Sequence, residues 1–227
     1  MTDGSRRDCV SSFSVEQRTL IIRFSHPHRT LSSAVLGGGW HYADFVLNHQ
    51  LPSGVAADSW VFKEPNVYLK GVARDLGLKG RGVGLMTAVS MDRLICRRMQ
   101  SRDFWVEAFI TVGTANAVRA GDPATADTPV SAGTVNIILV TNAALTTPAM
   151  VEAVQVATEA KAAAFQEYKV ISRVTGTTAT GTGTDAIVIV SGLGRKARYV
   201  GTHTSMGELV GRAVLDGVTE GLRRRTG

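Results

Sequence analysis

The sequence predicts an α+β fold, a single domain whose mixed β-sheet packs against long helices near 147–168 and 205–222. Three observations carry this. Apolar residues make up 44% of the 227 and charged ones 19%, which supplies a core and argues against disorder. Short apolar runs of strand type recur through the first two thirds of the chain and again at 186–190. Two longer stretches, opening at Thr146 or Thr147 and at Ser205, carry helix-start signals. Nothing reads as a linker, so residues 1–227 form one domain, with 1–15 and 223–227 as flexible tails.

In order, Thr19–Phe24 and Leu31–Leu36 are strand-type runs separated by a tight turn at His26-Pro-His28. Two His at this spacing suit a metal, yet no third and fourth ligands accompany them, and a turn is the reading. Gly37-Gly38-Gly39 ends the second run and implies a backbone clearance that side chains would forbid. Trp40 to Asn48 is a turn entering a short helix or strand, with Asn48 at its end as either a polar cap or a ligand contact.

Pro65 suits the first turn of a helix through about Leu78, which Gly80-Arg-Gly82 breaks. Val83–Val89, Asp92–Met99 and Trp105–Val112 follow as strands. Thr114-Ala-Asn116 lies at a strand end, and Ala120-Gly-Asp-Pro123 opens a polar loop to about Gly133. Thr134–Val140 is strongly apolar apart from Asn136, whose amide must be locked in a network or face a pocket. The next helix, capped by Thr146 or Thr147 with Pro148 in its first turn, is Ala-rich and runs to about Tyr168. Within it, Glu159 and Lys161 point to different sides, so only one of them can aim squarely at a given pocket. Arg198–Val200 reads as a short strand leading to Gly201-Thr-His-Thr204, and Ser205 as a cap with Glu208 at capping-box spacing.

A polar stretch, Thr175–Asp185, runs straight into the apolar strand Ala186–Val190. Alternating Thr and Gly place backbone N–H groups and hydroxyls side by side, and a packed strand behind them holds the loop still. The competing account is a Thr-rich hairpin edge; Asp185, an acid at a strand mouth, favours a site. The stretch lacks the Gly-Lys-Ser/Thr of a phosphate-binding loop, so a nucleotide-binding module ranks last.

The net charge of +6 does not point to nucleic acid. Arg6, Arg7 and Arg223–Arg225 fall in the tails, and no aromatic residues interleave with Arg97 and Arg98 to stack bases. No apolar run is long enough to span a bilayer and the N-terminus has no signal-type apolar core, so the expectation is a cytoplasmic protein without membrane partners. In that compartment Cys9 and Cys96 are reduced thiols, and their spacing is not that of a metal site. No metal-ligand set is evident anywhere.

A series of segments resembles the adenosylcobinamide amidohydrolases. It comprises Leu31–Gly39, Val83–Ala88, Thr111–Gly113 with Asn116, Gly133–Ile137, Ala157–Lys161, Ala179–Asp185 and His203–Leu209, in order over roughly residues 30 to 222. The resemblance implies an enzyme of corrinoid salvage. It would cleave the amide joining the aminopropanol arm to the corrin ring of adenosylcobinamide and release adenosylcobyric acid. The ligand is then a small-molecule corrinoid, cobalt arrives only within that substrate, and the chain needs no cofactor of its own. Monomer and homo-oligomer both remain open.

Residue chemistry supplies the roles. Asp185 or Glu159 would activate a water, and Lys161 or His203 would serve as the acid for the leaving amine. Asn136 and the Thr180, Gly181, Thr182, Gly183 and Thr184 backbone would receive the oxyanion. Asn48, Thr87 and Asn116 would complete a polar rim around the substrate. A Thr nucleophile, Thr180 or Thr182, is the alternative route. A non-catalytic corrinoid carrier is the alternative function.

Overall fold

The computed structural model describes residues 12–55, 59–124 and 133–226. Among them the chain runs β1 (Ser12–Glu16), β2 (Thr19–Ser32), β3 (Gly39–Gln50), α1 (Trp60–Lys63), α2 (Pro65–Asp75), β4 (Gly82–Thr87), β5 (Ile95–Gln100), β6 (Trp105–Val112) and β7 (Ala117–Val118). There follow β8 (Val135–Thr141), β9 (Ala144–Leu145), α3 (Thr147–Glu167), β10 (Gly181–Thr182), β11 (Ala186–Val190), β12 (Lys196–Ala197) and α4 (Ser205–Thr226). The fold class is the α+β expected, with a mixed sheet in the order β4-β3-β2-β11-β8-β6-β5. β1 lies along the first half of β2, while β11 takes the last residues of the same edge.

The layers follow from which face each strand buries. β8 is buried along its whole length, so it has two apolar faces. Val135, Ile137 and Leu139 meet α3 and α4 in one core. Ile138 and Val140 join Leu20, Ile22, Val46 and Leu85 in a second. That second core links β2, β3 and β4 to strands several places away in the sheet, so the sheet folds over on itself. Phe45 and Leu47, on the other face of β3, are covered by Leu69 and Ala73 of α2.

Several elements differ from expectation. The first run and the stretch through His26-Pro-His28 form one fourteen-residue strand, which takes in only Leu31 and Ser32 of the second run and whose register shifts between Arg23 and His28. A bulge is where a strand tolerates proline, because no ladder N–H is needed there. His28 is buried and its Nδ1 bonds the Ser191 carbonyl at 2.9 Å. The segment from Trp40 is strand throughout. β1 occupies part of the stretch read as a tail, and α4 runs on to Thr226 in the other. The strand expected from Asp92 begins at Ile95, because Met91–Arg93 form a 3₁₀ turn capped by Ser90.

Arg198–Val200 is not a strand; the short pairing lies just before it, in β12. Thr204, not Ser205, caps α4, its Oγ1 accepting from the Gly207 N–H at 3.0 Å. Glu208 therefore lies beyond the capping-box position and pairs with Arg212 at 3.5 Å. Cys96 is a free thiol, whereas Cys9 and much of the loop toward Gly133 lie outside the described residues. No described helix is long and apolar enough to cross a membrane.

Candidate functional site

β8 and β11 are parallel neighbours with Ala186 opposite Asn136, so the residues that precede both strands meet at one end of the sheet. Asp185 sits there. Its carboxylate accepts from the Val135 N–H at 2.9 Å, from the Thr182 N–H at 2.9 Å and from the Thr182 hydroxyl at 2.5 Å. A fourth donor is the Lys161 ammonium, which forms an ion pair with Asp185 Oδ2. Lys161 projects from α3 and is only 7% exposed. Such burial is tolerable for a charge only because the partner carboxylate is pre-placed. Gly181 makes room for the pair: a Cβ there would lie 2.3 Å from Asp185 Oδ2.

The Thr/Gly stretch is tied down along its length. Asp122 accepts from the Ser172 hydroxyl at 2.5 Å and the Thr175 hydroxyl at 2.9 Å. The Ser172 hydrogen bond foremost keeps the Asp122 carboxyl below its ordinary pKa. Thr180 Oγ1 accepts from the Ala120 N–H, and β10 pairs with β7. What remains outward is the crest: Gly183 and Thr184 are exposed, and Thr184 Oγ1 donates to the Gly133 carbonyl at 3.0 Å.

Beneath the crest lies a buried polar network. Asn136 Nδ2 donates to Asn48 Oδ1 at 2.9 Å and to the Met86 carbonyl at 2.8 Å, while its Oδ1 accepts from Thr134. Asn48 Nδ2 in turn donates to Thr111 Oγ1 at 3.2 Å. Asn136 is thus locked in a network, and with Asn48 it bridges the two halves of the folded sheet. Asn116 is different. It is 8% exposed, its Nδ2 reaches Thr184 at 3.5 Å, and its Oδ1 has no hydrogen-bond partner among the described residues. A buried acceptor left open is costly, so it marks a place where a ligand N–H is welcome.

Asp185, Lys161, Asn116 and the Thr180–Thr184 stretch are therefore brought together, with Asn136 and Asn48 behind them. Glu159 is not among them: two residues from Lys161 on a helix is roughly 200° of rotation, and Glu159 is exposed. His203 is also elsewhere. It is exposed and follows Val200, whose N–H is bound by Glu152, nine residues and roughly 13 Å along α3 before Lys161. Thr87 is buried and its Oγ1 accepts from the Val89 N–H at 3.0 Å. Thr111 and Thr134 complete the network without having been singled out as candidates. Their signal in the sequence is a hydroxyl at or beside the end of an otherwise apolar strand. No group of three or more His, Cys, Asp or Glu among the described residues is placed to hold a metal ion.

Fold and site together define an α+β protein whose polar site, lined by amides and hydroxyls, sits at strand ends around a buried ion pair. A family model described as adenosylcobinamide amidohydrolase matches residues 5–227, and the chain belongs to that family. By that name it stands among the hydrolases of corrinoid metabolism. An uncharacterized protein of Methanocaldococcus jannaschii is 37% identical over 226 residues, covering 91% of this chain and 86% of the relative. The adenosylcobinamide amidohydrolase of Methanosarcina mazei is 30% identical over 223 residues, covering 94% and 98%. Among solved structures, the PH0078 protein of Pyrococcus horikoshii aligns over 98% of this chain and 81% of its own. Its TM-score is 0.44 at 12% identity, a likeness that adds nothing on fold or function.

Proposed function

We propose that this chain hydrolyses the amide between the aminopropanol arm and the corrin ring of adenosylcobinamide, giving adenosylcobyric acid and free aminopropanol. Family membership supports the substrate class, and the Thr182–Asp185–Lys161 arrangement supports amide chemistry. The observation that carries the mechanism is that the Thr182 hydroxyl already donates to Asp185 Oδ1. A water awaiting activation by Asp185 would need that same position, so the group Asp185 can deprotonate is Thr182 itself.

Thr182 Oγ1 attacks the amide carbonyl as its proton passes to Asp185. The C–N bond then breaks, the proton goes to the departing amine, and an ester links corrin to Thr182. A water hydrolyses that ester, releasing the carboxylic acid and restoring the hydroxyl. Lys161 holds the carboxylate in place and offsets charge developing beside it. The open Asn116 Oδ1 receives the substrate amide N–H. Cobalt belongs to the substrate in this reading.

The test is turnover of adenosylcobinamide by purified protein, followed by the same assay on Thr182→Ala and Thr182→Ser. The alanine variant is expected to lose about a hundredfold or more in kcat, and the serine variant to keep most of it. Mass spectrometry of protein quenched during turnover should show a corrinoid ester on the peptide bearing Thr182. Full activity in the alanine variant would remove Thr182 as nucleophile. Tight binding of adenosylcobinamide without any turnover would replace the hydrolase reading by a carrier.

A further inference from the structure

A second concavity lies on the opposite face of β3 from the buried network. It is a cleft of about 650 Å³ between α2, the Gly77–Gly82 turn, the start of β3 and the Gly37 corner. Side chains alternate along a strand, so Phe45 faces this cleft while Val46 and Asn48 face the interior. Gly37 has φ +62°, and a Cβ on it would fall 2.3 Å from the Gly82 carbonyl oxygen, so only glycine lets the two segments meet. Gly37, the first of the triple glycine prominent in the sequence, thus shapes this cleft.

Its lining is of one sign. Lys70 and Arg74 stand one turn apart on α2, Lys79 and Arg81 rise from the facing turn, and no carboxylate lines the space. Like charges at i,i+4 repel, so Lys70 and Arg74 stand together at a small cost that an anion between them would offset. Asp44 engages Arg81 at 3.4 Å from outside the lining, and Arg74 pairs with the exposed Asp75. Lys70 and Lys79 make no ion pair among the described residues. Beneath the cations the floor is apolar, made by Leu36, Phe45, Ala73 and Leu78. Its volume is within the range of small-molecule sites.

From this combination of a cationic rim and an apolar floor we infer that the cleft binds a nucleoside diphosphate, its phosphates between the α2 and turn cations and its base on the floor. Binding to this cleft can be read without any corrinoid. The experiment is calorimetric titration of the full chain with ADP, adenosine and inorganic pyrophosphate, repeated on Lys70→Glu/Lys79→Glu. Both lysines are exposed, so the variant should melt with the wild type; Lys70→Gln/Lys79→Gln is the milder substitute if it does not. One ADP per chain is expected, at least about tenfold tighter than either adenosine or pyrophosphate, and weakened at least about tenfold by the charge reversal. Rising salt should weaken it further. Absence of ADP binding at millimolar concentration would overturn the assignment. So would binding indifferent to both lysine variants, or adenosine or pyrophosphate binding as tightly as ADP.

Discussion

His49 shows how one residue can tie stability to pH. It is buried, with Nδ1 2.8 Å from the Thr19 hydroxyl and Nε2 2.9 Å from that of Tyr68. Burial first, and the nearby Arg18 charge second, push its pKa down to about 4. The unfolded chain takes up that proton near pH 6.5 and the folded chain only near 4, so stability is full above 6.5 and falls as pH drops between the two. The loss by pH 4 is on the order of 3 kcal/mol. Melting temperatures at pH 7 and pH 5 should differ by less in His49→Gln than in the wild type; an unchanged difference would show that His49 titrates normally. None of this was legible in the sequence, where His49 stood beside Asn48 without a partner in view. Asp185 was legible, because an acid between a Thr/Gly run and an apolar strand has few other places to go. Lys161 was half legible: helical geometry showed that it and Glu159 diverge, but only the packed helix shows which one turns inward.

At the scale of elements, α4 lies close on the sheet because glycines face it. A Cβ on Gly221 would come within 2.4 Å of Val112 Cγ2 and 2.6 Å of its Cβ. Gly221→Ala therefore sets two effects against each other: about 1 kcal/mol gained in helix propensity and about 1–3 kcal/mol lost to overpacking. The second should win, because Val112 Cβ belongs to a rigid strand, and urea denaturation should show net destabilisation. An increase in stability would mean that the helix can lift without cost. The helices and the apolar strands were legible from composition and start signals, while the bulge in β2 was not. Proline read as a break, and only the flanking pairings with β3 show the strand running through it. β1 was missed for a local reason: Gln17 and Arg18 both adopt positive φ in its turn, +46° and +62°, and neither is a residue that announces such a turn.

At the scale of the molecule, the folded sheet is held by more than apolar contact. Asn136 and Asn48 connect β8 to β3 through the interior. Asn136→Ala would leave Asn48 Oδ1 and the Met86 carbonyl without their donor, and each buried orphan costs about 1–3 kcal/mol. A drop in melting temperature of several degrees is expected for a chain of this length. A variant melting with the wild type would show that water or a neighbour substitutes for the amide. The sequence showed that Asn136 must be satisfied. It could not show by what, since Asn48 lies 88 residues away and pairing across a folded sheet leaves no local trace.

Among the described residues the strand at one end of that sheet, β5, has a single hydrogen-bonded neighbour, and its outer row of backbone groups is a template on which another molecule's strand can add. Arg97 and Arg98 sit in the middle of it, one paired with Glu220 of α4 and the other stacked 4.4 Å over the Trp105 ring. Each is held in place by its partner. A second copy of this strand added there would bring two more arginines to the same edge. Two residues that looked like ordinary surface charge therefore put like charge along the open strand, where it disfavours pairing with a strand of the same sequence.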